Sequence, residues 1–141
     1  MRKRLGIVFG TRPDAIKMAP IVFELQKHAG EFDPVVISTG QHRQMLDQVL
    51  EVFDVKPEIE LDVMRNNQSL SGLSCRILTA MDALLAEKPL DCVLVQGDTT
   101  TAFATSLESA GSHRRERLPA MGNQSLASVE DVQRNPRRYY R

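Results

Sequence analysis

The chain has 141 residues, of which 42% are hydrophobic and 26% are charged, with 18 basic residues against 18 acidic ones. This is the length of one domain, and the apolar content is too high for a disordered chain. The zero net charge argues against nucleic-acid binding through bulk charge, although it is compatible with a local basic patch. No apolar run approaches the roughly 20 residues of a membrane span, and residues 5–9 are too short for the core of a secretory signal. We therefore expect a cytoplasmic protein with neither a membrane nor nucleic acid as partner.

The cysteines and histidines form no recognisable metal or redox motif. Cys75 and Cys92 lie in a predicted helix and a predicted strand without CxxC spacing, which indicates two reduced, buried thiols. The three histidines are scattered along the chain, so their spacing predicts no zinc site.

The first half of the chain alternates apolar runs with helical stripes. Residues 5–9 predict a buried strand, and helical spacing from Pro13 continues to Gly30. The β-branched residues 34–39 predict a second strand, and the apolar stripe of residues 45–53 predicts a second helix.

The same alternation continues to residue 107. Residues 59–63 alternate as an edge strand does, and residues 70–85 predict a third helix with Ser69 or Ser71 as its cap. Residues 91–95 are the most apolar strand, and residues 100–107 open a fourth helix. Strands that alternate with helices predict an α/β fold with a doubly wound parallel sheet.

Residues 108–141 differ in composition from the rest of the chain. They carry seven basic residues, all arginine, and four acidic ones, and only ten of the 34 residues are apolar. No run of four or more apolar residues occurs there, so we expect this Arg-rich tail to pack poorly and to add no strand to the sheet. A solvated extension, a variant chain end and a truncated or frame-shifted reading frame all fit that composition. The sequence thus predicts a partial domain over residues 1–107 and a divergent tail over residues 108–141.

Polar residues follow three of the four predicted strands. Gly10-Thr11-Arg12 follows the first strand, Gln41-His42-Arg43 the second and Gly97-Asp98-Thr99 the fourth. Ligands of doubly wound sheets bind outside the carboxyl ends of the strands, where glycines admit a ligand close to the backbone and helix N-termini favour anions. These residues alone predict an anion-tolerant edge of the sheet. Turns, helix caps and a solvated charged face explain the same residues equally simply.

Three longer segments at these exits resemble blocks of the non-hydrolysing UDP-N-acetylglucosamine 2-epimerases. They are residues 10–20 (GTRPDAIKMAP), 41–50 (QHRQMLDQVL) and 93–101 (VLVQGDTTT), in the family's order and near its spacing. The resemblance covers about residues 4–107. It implies the first half of the N-terminal domain of a two-domain fold that is similar to glycosyltransferase B.

The resemblance also implies an activity. Members of this family interconvert UDP-N-acetylglucosamine and UDP-N-acetylmannosamine in the bacterial cytoplasm and supply cell-surface polysaccharide synthesis. UDP is eliminated to leave an unsaturated sugar, and it adds back with the opposite configuration at C2. That reaction needs an acid/base pair and groups that bind the departing diphosphate. The resemblance implies a UDP-sugar as the small-molecule partner, no metal or nicotinamide cofactor, and homodimers.

The matching positions acquire roles from this resemblance. It implies that Asp98 and Lys17 are catalytic and that Gly10, Thr11 and Arg12 bind substrate. It also implies that a second, regulatory UDP-sugar contacts the residues of the second block, namely Gln41, His42 and Gln44.

The chain departs from the family after Leu107. Family members continue with a Gly-His-Val-Glu-Ala-Gly-Leu-Arg segment and a second domain, and residues 108–114 do not supply that pattern. We therefore expect an epimerase chain that is truncated and inactive on its own. A noncatalytic UDP-sugar-binding or regulatory module and a fragment of a related glycosyltransferase are the alternatives.

Overall fold

The computed structural model describes residues 1–41 and 43–111, together with the backbone of residues 120–121. Strands and helices alternate along this part of the chain. In chain order they are β1 (Lys3–Phe9), α1 (Arg12–Lys27), β2 (Phe32–Ser38), α2 (Arg43–Val52), β3 (Ile59–Glu60), α3 (Leu70–Glu87), β4 (Cys92–Val95), α4 (Thr100–Gly111) and β5 (Ala120–Met121).

The strands form one parallel sheet in the order β3-β2-β1-β4-β5. Central strand β1 pairs with β2 on one side and with β4 on the other. Successive side chains of a strand point to opposite faces, so Ile7 and Phe9 pack with α1 and α2, whereas Val8 packs with α3 and α4. Helices cover both faces, and the prediction of a doubly wound parallel α/β sheet is confirmed.

The third helix shows how the sequence defines an element here. Ser69 is its N-cap, and the Ser69 hydroxyl accepts a hydrogen bond from the Gly72 backbone N–H at 3.1 Å. Of the two serines predicted as cap, Ser69 is therefore the one used. The residues of α3 that face the sheet are buried; they are Leu73, Ile77, Met81, Leu84 and Leu85.

Strand β3 is shorter than the predicted strand of residues 59–63. Only Ile59–Glu60 pairs with β2. Asp62 has a φ of 45°, in the left-handed region, which ends the extended run. The alternating pattern of the sequence does not reveal this change of backbone, so the predicted strand was too long by three residues.

Two features cross the predicted boundary at residue 107. Helix α4 continues to Gly111, and Ala120–Met121 pairs in parallel with Val93 and Leu94 of β4. The expectation that residues 108–141 add no strand is therefore wrong at these two positions, because backbone pairing with β4 does not require an apolar run. The remainder of that tail lies outside the described residues.

Candidate functional site

Three neighbouring strands end at the same edge of the sheet. Because β2, β1 and β4 are adjacent and parallel, the residues that follow them come together. We call this edge the polar rim, and it comprises residues 10–12, 39–41 and 97–101. The predicted site segments at the first and fourth strand exits thus lie on adjacent strands.

Two buried hydroxyls connect the exit of β2 with the start of α4. Thr39 Oγ1 lies 2.8 Å from Thr101 Oγ1, and the Thr101 hydroxyl donates to Gln41 Oε1 at 3.0 Å. Thr39 and Thr101 are 0% and 1% exposed. The side chain of Gln41, which is predicted to contact a regulatory UDP-sugar, is therefore hydrogen-bonded to the buried part of the polar rim.

Gly10 lies against the same pair of hydroxyls. A Cβ atom at this position would overlap the hydroxyl oxygens of both Thr39 and Thr101. Only glycine therefore allows the exit of β1 to approach the other two exits this closely. The sequence predicted a close approach of backbone at Gly10, and the nearest atoms are threonine hydroxyls of the protein itself.

Asp14 connects α1 with the N-cap of α4, although no role was predicted for it. Its side chain is 3% exposed, and Asp14 Oδ2 accepts a hydrogen bond from the Thr99 hydroxyl at 3.1 Å. Thr99 Oγ1 in turn accepts from the Ala102 backbone N–H at 3.2 Å and so caps α4. The signal that could have revealed Asp14 is its position on the apolar stripe of α1, one residue before the buried Ala15.

The loop after β4 is closely packed on Asp14. Gly97 has a φ of 102°, and a Cβ atom there would lie 2.7 Å from Asp14 Oδ1. Glycine is therefore required at position 97 for both its backbone angle and its contact. Since Thr99 is the cap of α4, Asp98 is left outside the capping hydrogen bond.

Thr11 has a buried hydroxyl without a partner. It is the N-cap residue of α1, yet its side chain forms no cap hydrogen bond. The residue is 7% exposed, and Thr11 Oγ1 forms no hydrogen bond within the described part of the chain. An unsatisfied buried hydroxyl costs about 1–3 kcal/mol. A polar ligand atom at the polar rim would supply the missing partner.

The charged residues predicted at the site are exposed. Arg12 and Lys17 lie in the first two turns of α1, and Asp98 lies between Gly97 and Thr99. None of these three side chains forms a hydrogen bond or ion pair with another residue among those described. They are therefore available to a ligand.

The second predicted block is only partly within the described structure. Gln41 is half-buried and bonded to Thr101, whereas Gln44 is exposed in the first turn of α2. His42 lies outside the described residues, so its predicted regulatory contact stays a prediction. The structure thus brings Gln41, but not Gln44, into hydrogen-bond contact with Thr101.

A depression beside the polar rim is acidic. It lies at the carboxyl ends of β2 and β3, and three of its lining residues are acidic. The lining residues are Ser38, Gly40, Asp47, Leu50, Pro57, Glu60 and Asp62. Its carboxylates would repel a phosphate group, so an anionic ligand is better matched by the side of the rim that carries Arg12.

The carboxyl groups with lowered pKa values lie away from the polar rim. The Arg4 backbone N–H, which donates to Asp91 at 2.7 Å, lowers the pKa of Asp91 near the amino end of β1. The hydrogen bond from Lys27 lowers the pKa of Glu24 in the last turns of α1. Within the described residues, no group of three or more His, Cys, Asp or Glu side chains could hold a metal ion.

Solved structures of UDP-GlcNAc 2-epimerases share the fold of this chain. The crystal structure of a UDP-GlcNAc 2-epimerase from Neisseria meningitidis bound to UDP-GlcNAc has a TM-score of 0.76 and 40% identity, over 93% of this chain and 34% of that one. A UDP-GlcNAc 2-epimerase from Methanocaldococcus jannaschii in complex with UDP-GlcNAc and UDP has a TM-score of 0.76 and 26% identity, over 91% of this chain and 34% of that one.

Sequence comparison agrees with the structural comparison. UDP-N-acetylglucosamine 2-epimerases from Neisseria meningitidis and Bacillus subtilis are each 53% identical to this chain over 100 residues, which is 71% of the chain. That segment spans 27% and 26% of the respective relatives. The sequence model of the family described as UDP-N-acetylglucosamine 2-epimerase matches residues 24–115. Because that match covers more than half of the chain, the chain belongs to the UDP-N-acetylglucosamine 2-epimerase family.

Proposed function

We propose that this chain provides the part of a UDP-N-acetylglucosamine 2-epimerase that faces the UDP-sugar, and that it is inactive on its own. The observation that supports this most directly is the polar rim itself. It combines the exposed Arg12, the partnerless hydroxyl of Thr11 and the close approach of three strand exits at Gly10. These are groups suited to a polar anion, and related structures contain UDP-GlcNAc.

The proposed roles follow the chemistry of elimination. Departure of UDP breaks the bond between C1 and the phosphate oxygen and removes the proton from C2. Arg12 would hold the departing diphosphate, and Asp98 and Lys17 would take part in proton transfer and charge stabilisation. Gly10 and Thr11 would line the substrate, whereas Gln41, His42 and Gln44 would contact a second, regulatory UDP-sugar.

The proposal of inactivity rests on the share of the relatives that the chain represents. The matched segments are 26–27% of those proteins, and the chain lacks the acidic segment that follows Leu107 in the family. A missing general acid or base commonly lowers the rate by about 10²–10⁴-fold, and lost positioning lowers it further. We therefore propose weak ligand binding without turnover.

A cytoplasmic location is part of the same proposal. Cys92 is buried, whereas Cys75 is exposed, so the expectation of two buried thiols is wrong at Cys75. Both are thiols rather than in a disulfide, which suits a reducing compartment. In the described part of the chain, no helix has the length and apolarity needed to cross a membrane.

Binding of UDP-GlcNAc to the 141-residue chain tests the proposal. We expect NMR titration to give a dissociation constant in the millimolar range and Arg12→Met to weaken binding by about tenfold, since hydrogen bonds to charged groups contribute about 1.5–3 kcal/mol. Arg2→Met is the matched control, because Arg2 is an exposed arginine just before the amino end of β1. Equal weakening by both variants, or no binding to the unmodified chain, would contradict the proposal.

A further inference from the structure

The two ends of the Gln41 carboxamide have different surroundings. Gln41 Oε1 accepts a hydrogen bond from the Thr101 hydroxyl at 3.0 Å. Its Nε2 group forms no hydrogen bond with any other described residue. The oxygen is thus hydrogen-bonded within the protein, whereas the two N–H groups of Nε2 are available to donate to another partner.

The direction of the hydrogen bonds follows from counting protons. A threonine hydroxyl has one proton to donate. Since Thr101 donates its proton to Gln41, the contact of 2.8 Å between Thr39 and Thr101 requires Thr39 to be the donor. The chain therefore runs from Thr39 through Thr101 to the carbonyl oxygen of Gln41.

A reversed carboxamide would break this chain. If Nε2 of Gln41 faced Thr101, the Thr101 hydroxyl would donate its proton to Thr39 instead of to Gln41. The hydroxyl proton of Thr39 would then have no acceptor. Thr39 is 0% exposed, and among the described residues its hydroxyl is bonded to Thr101 alone. A buried donor without an acceptor costs about 1–3 kcal/mol. Gly10, packed directly against both hydroxyls, leaves them little room to rearrange.

We propose that Thr39 and Thr101 are positioning residues, which fix the Gln41 carboxamide with its N–H donors toward the regulatory UDP-sugar. The ligand atom at this contact is then a hydrogen-bond acceptor, such as a phosphate oxygen. This inference rests on the proposed function, which places a UDP-sugar at Gln41. It assigns to Thr39 and Thr101 a role that the family resemblance did not supply.

Three substitutions separate the parts of this arrangement. Thr101→Val removes the proton that holds Gln41, and Thr101→Ser restores it. Gln41→Glu retains an acceptor for Thr101 but replaces the N–H donors with an anionic oxygen. Thr79→Val is the control, because Thr79 is an exposed threonine on α3 outside the polar rim. Should Thr101→Val fail to fold, Gln41→Glu still tests the proposal because it keeps the hydrogen bond of Thr101.

The first readout is UDP-GlcNAc binding to the full 141-residue chain, followed by NMR. We expect Thr101→Val to weaken binding about three- to tenfold, because Gln41 must then be ordered by the ligand. Thr101→Ser and Thr79→Val should stay within about twofold, and Gln41→Glu should weaken binding by about tenfold or more. Unchanged binding by Gln41→Glu or by Thr101→Val would overturn the proposal.

The second readout needs no ligand and separates this inference from the proposed function. The side-chain amide signals of Gln41 should shift in Thr101→Val and return toward their original positions in Thr101→Ser. If the unmodified chain did not bind UDP-GlcNAc, the proposed function would fail, and with it the contact to the ligand. The orientation of Gln41 would still be decided by these spectra, and unchanged amide signals in Thr101→Val would overturn it.

Discussion

Gly10 lies where the exit of β1 packs directly against Thr39 and Thr101. Its missing side chain leaves the space that the hydroxyls of Thr39 and Thr101 occupy. The family resemblance implied that Gly10 binds substrate, whereas its place after an apolar run and before Thr11 and Arg12 fits a simple turn equally well. The sequence could not indicate which atoms lie against Gly10, because Thr39 and Thr101 are distant from it in sequence. Both are also polar, and a sequence pattern does not show which polar residues are buried.

The substitution Gly10→Ala should destabilise the fold by about 2–4 kcal/mol, because the added methyl group overpacks the site and disrupts a buried hydrogen bond. Gly30→Ala is the control, since a Cβ atom at Gly30 has no atom within 4 Å. Urea unfolding of both variants measures the difference. A loss below about 0.5 kcal/mol for Gly10→Ala would show that the neighbouring threonines adapt to the methyl group.

At the scale of elements, the hydrogen bond between Asp14 and Thr99 joins α1 to the N-cap of α4. Asp14 of α1 accepts from Thr99, the cap of α4, and Gly97 packs on the same carboxylate. The predicted helix of residues 70–85 is confirmed as α3, although its first residue, Leu70, is 72% exposed. Apolar periodicity therefore located the helices, whereas it gave no indication that Asp14 shares the buried face of α1.

A double-mutant cycle measures this contact between helices. Asp14→Ala and Thr99→Val should each destabilise the chain, since each leaves a buried or capping group without its partner. The double variant should be less destabilised than the sum, with a coupling of about 1–3 kcal/mol, because both substitutions remove the same hydrogen bond. Free energies of unfolding in urea give the coupling. Strict additivity would mean that the contact contributes nothing to stability.

At the scale of the molecule, the alternation of strands and helices was sufficient to predict the doubly wound sheet. The order of its strands places the exits of β1, β2 and β4 at one edge, where the predicted polar segments meet. The pairing of Ala120–Met121 with β4 was not predicted, because two residues carry no periodic signal. The regulatory role of His42 and the catalytic roles of Asp98 and Lys17 remain predictions, since they concern a ligand rather than the fold.

We propose above all that this chain binds a UDP-sugar at the polar rim and does not convert it alone. Incubation of the purified 141-residue chain with UDP-N-acetylglucosamine, with NMR of both the chain and the sugar, tests this most directly. We predict shifts in the backbone signals of residues 10–12, 41 and 98, and no UDP-N-acetylmannosamine, because residues 108–114 do not match the Gly-His-Val-Glu-Ala-Gly-Leu-Arg segment of the family. Formation of UDP-N-acetylmannosamine, or shifts confined to residues away from the polar rim, would contradict the account.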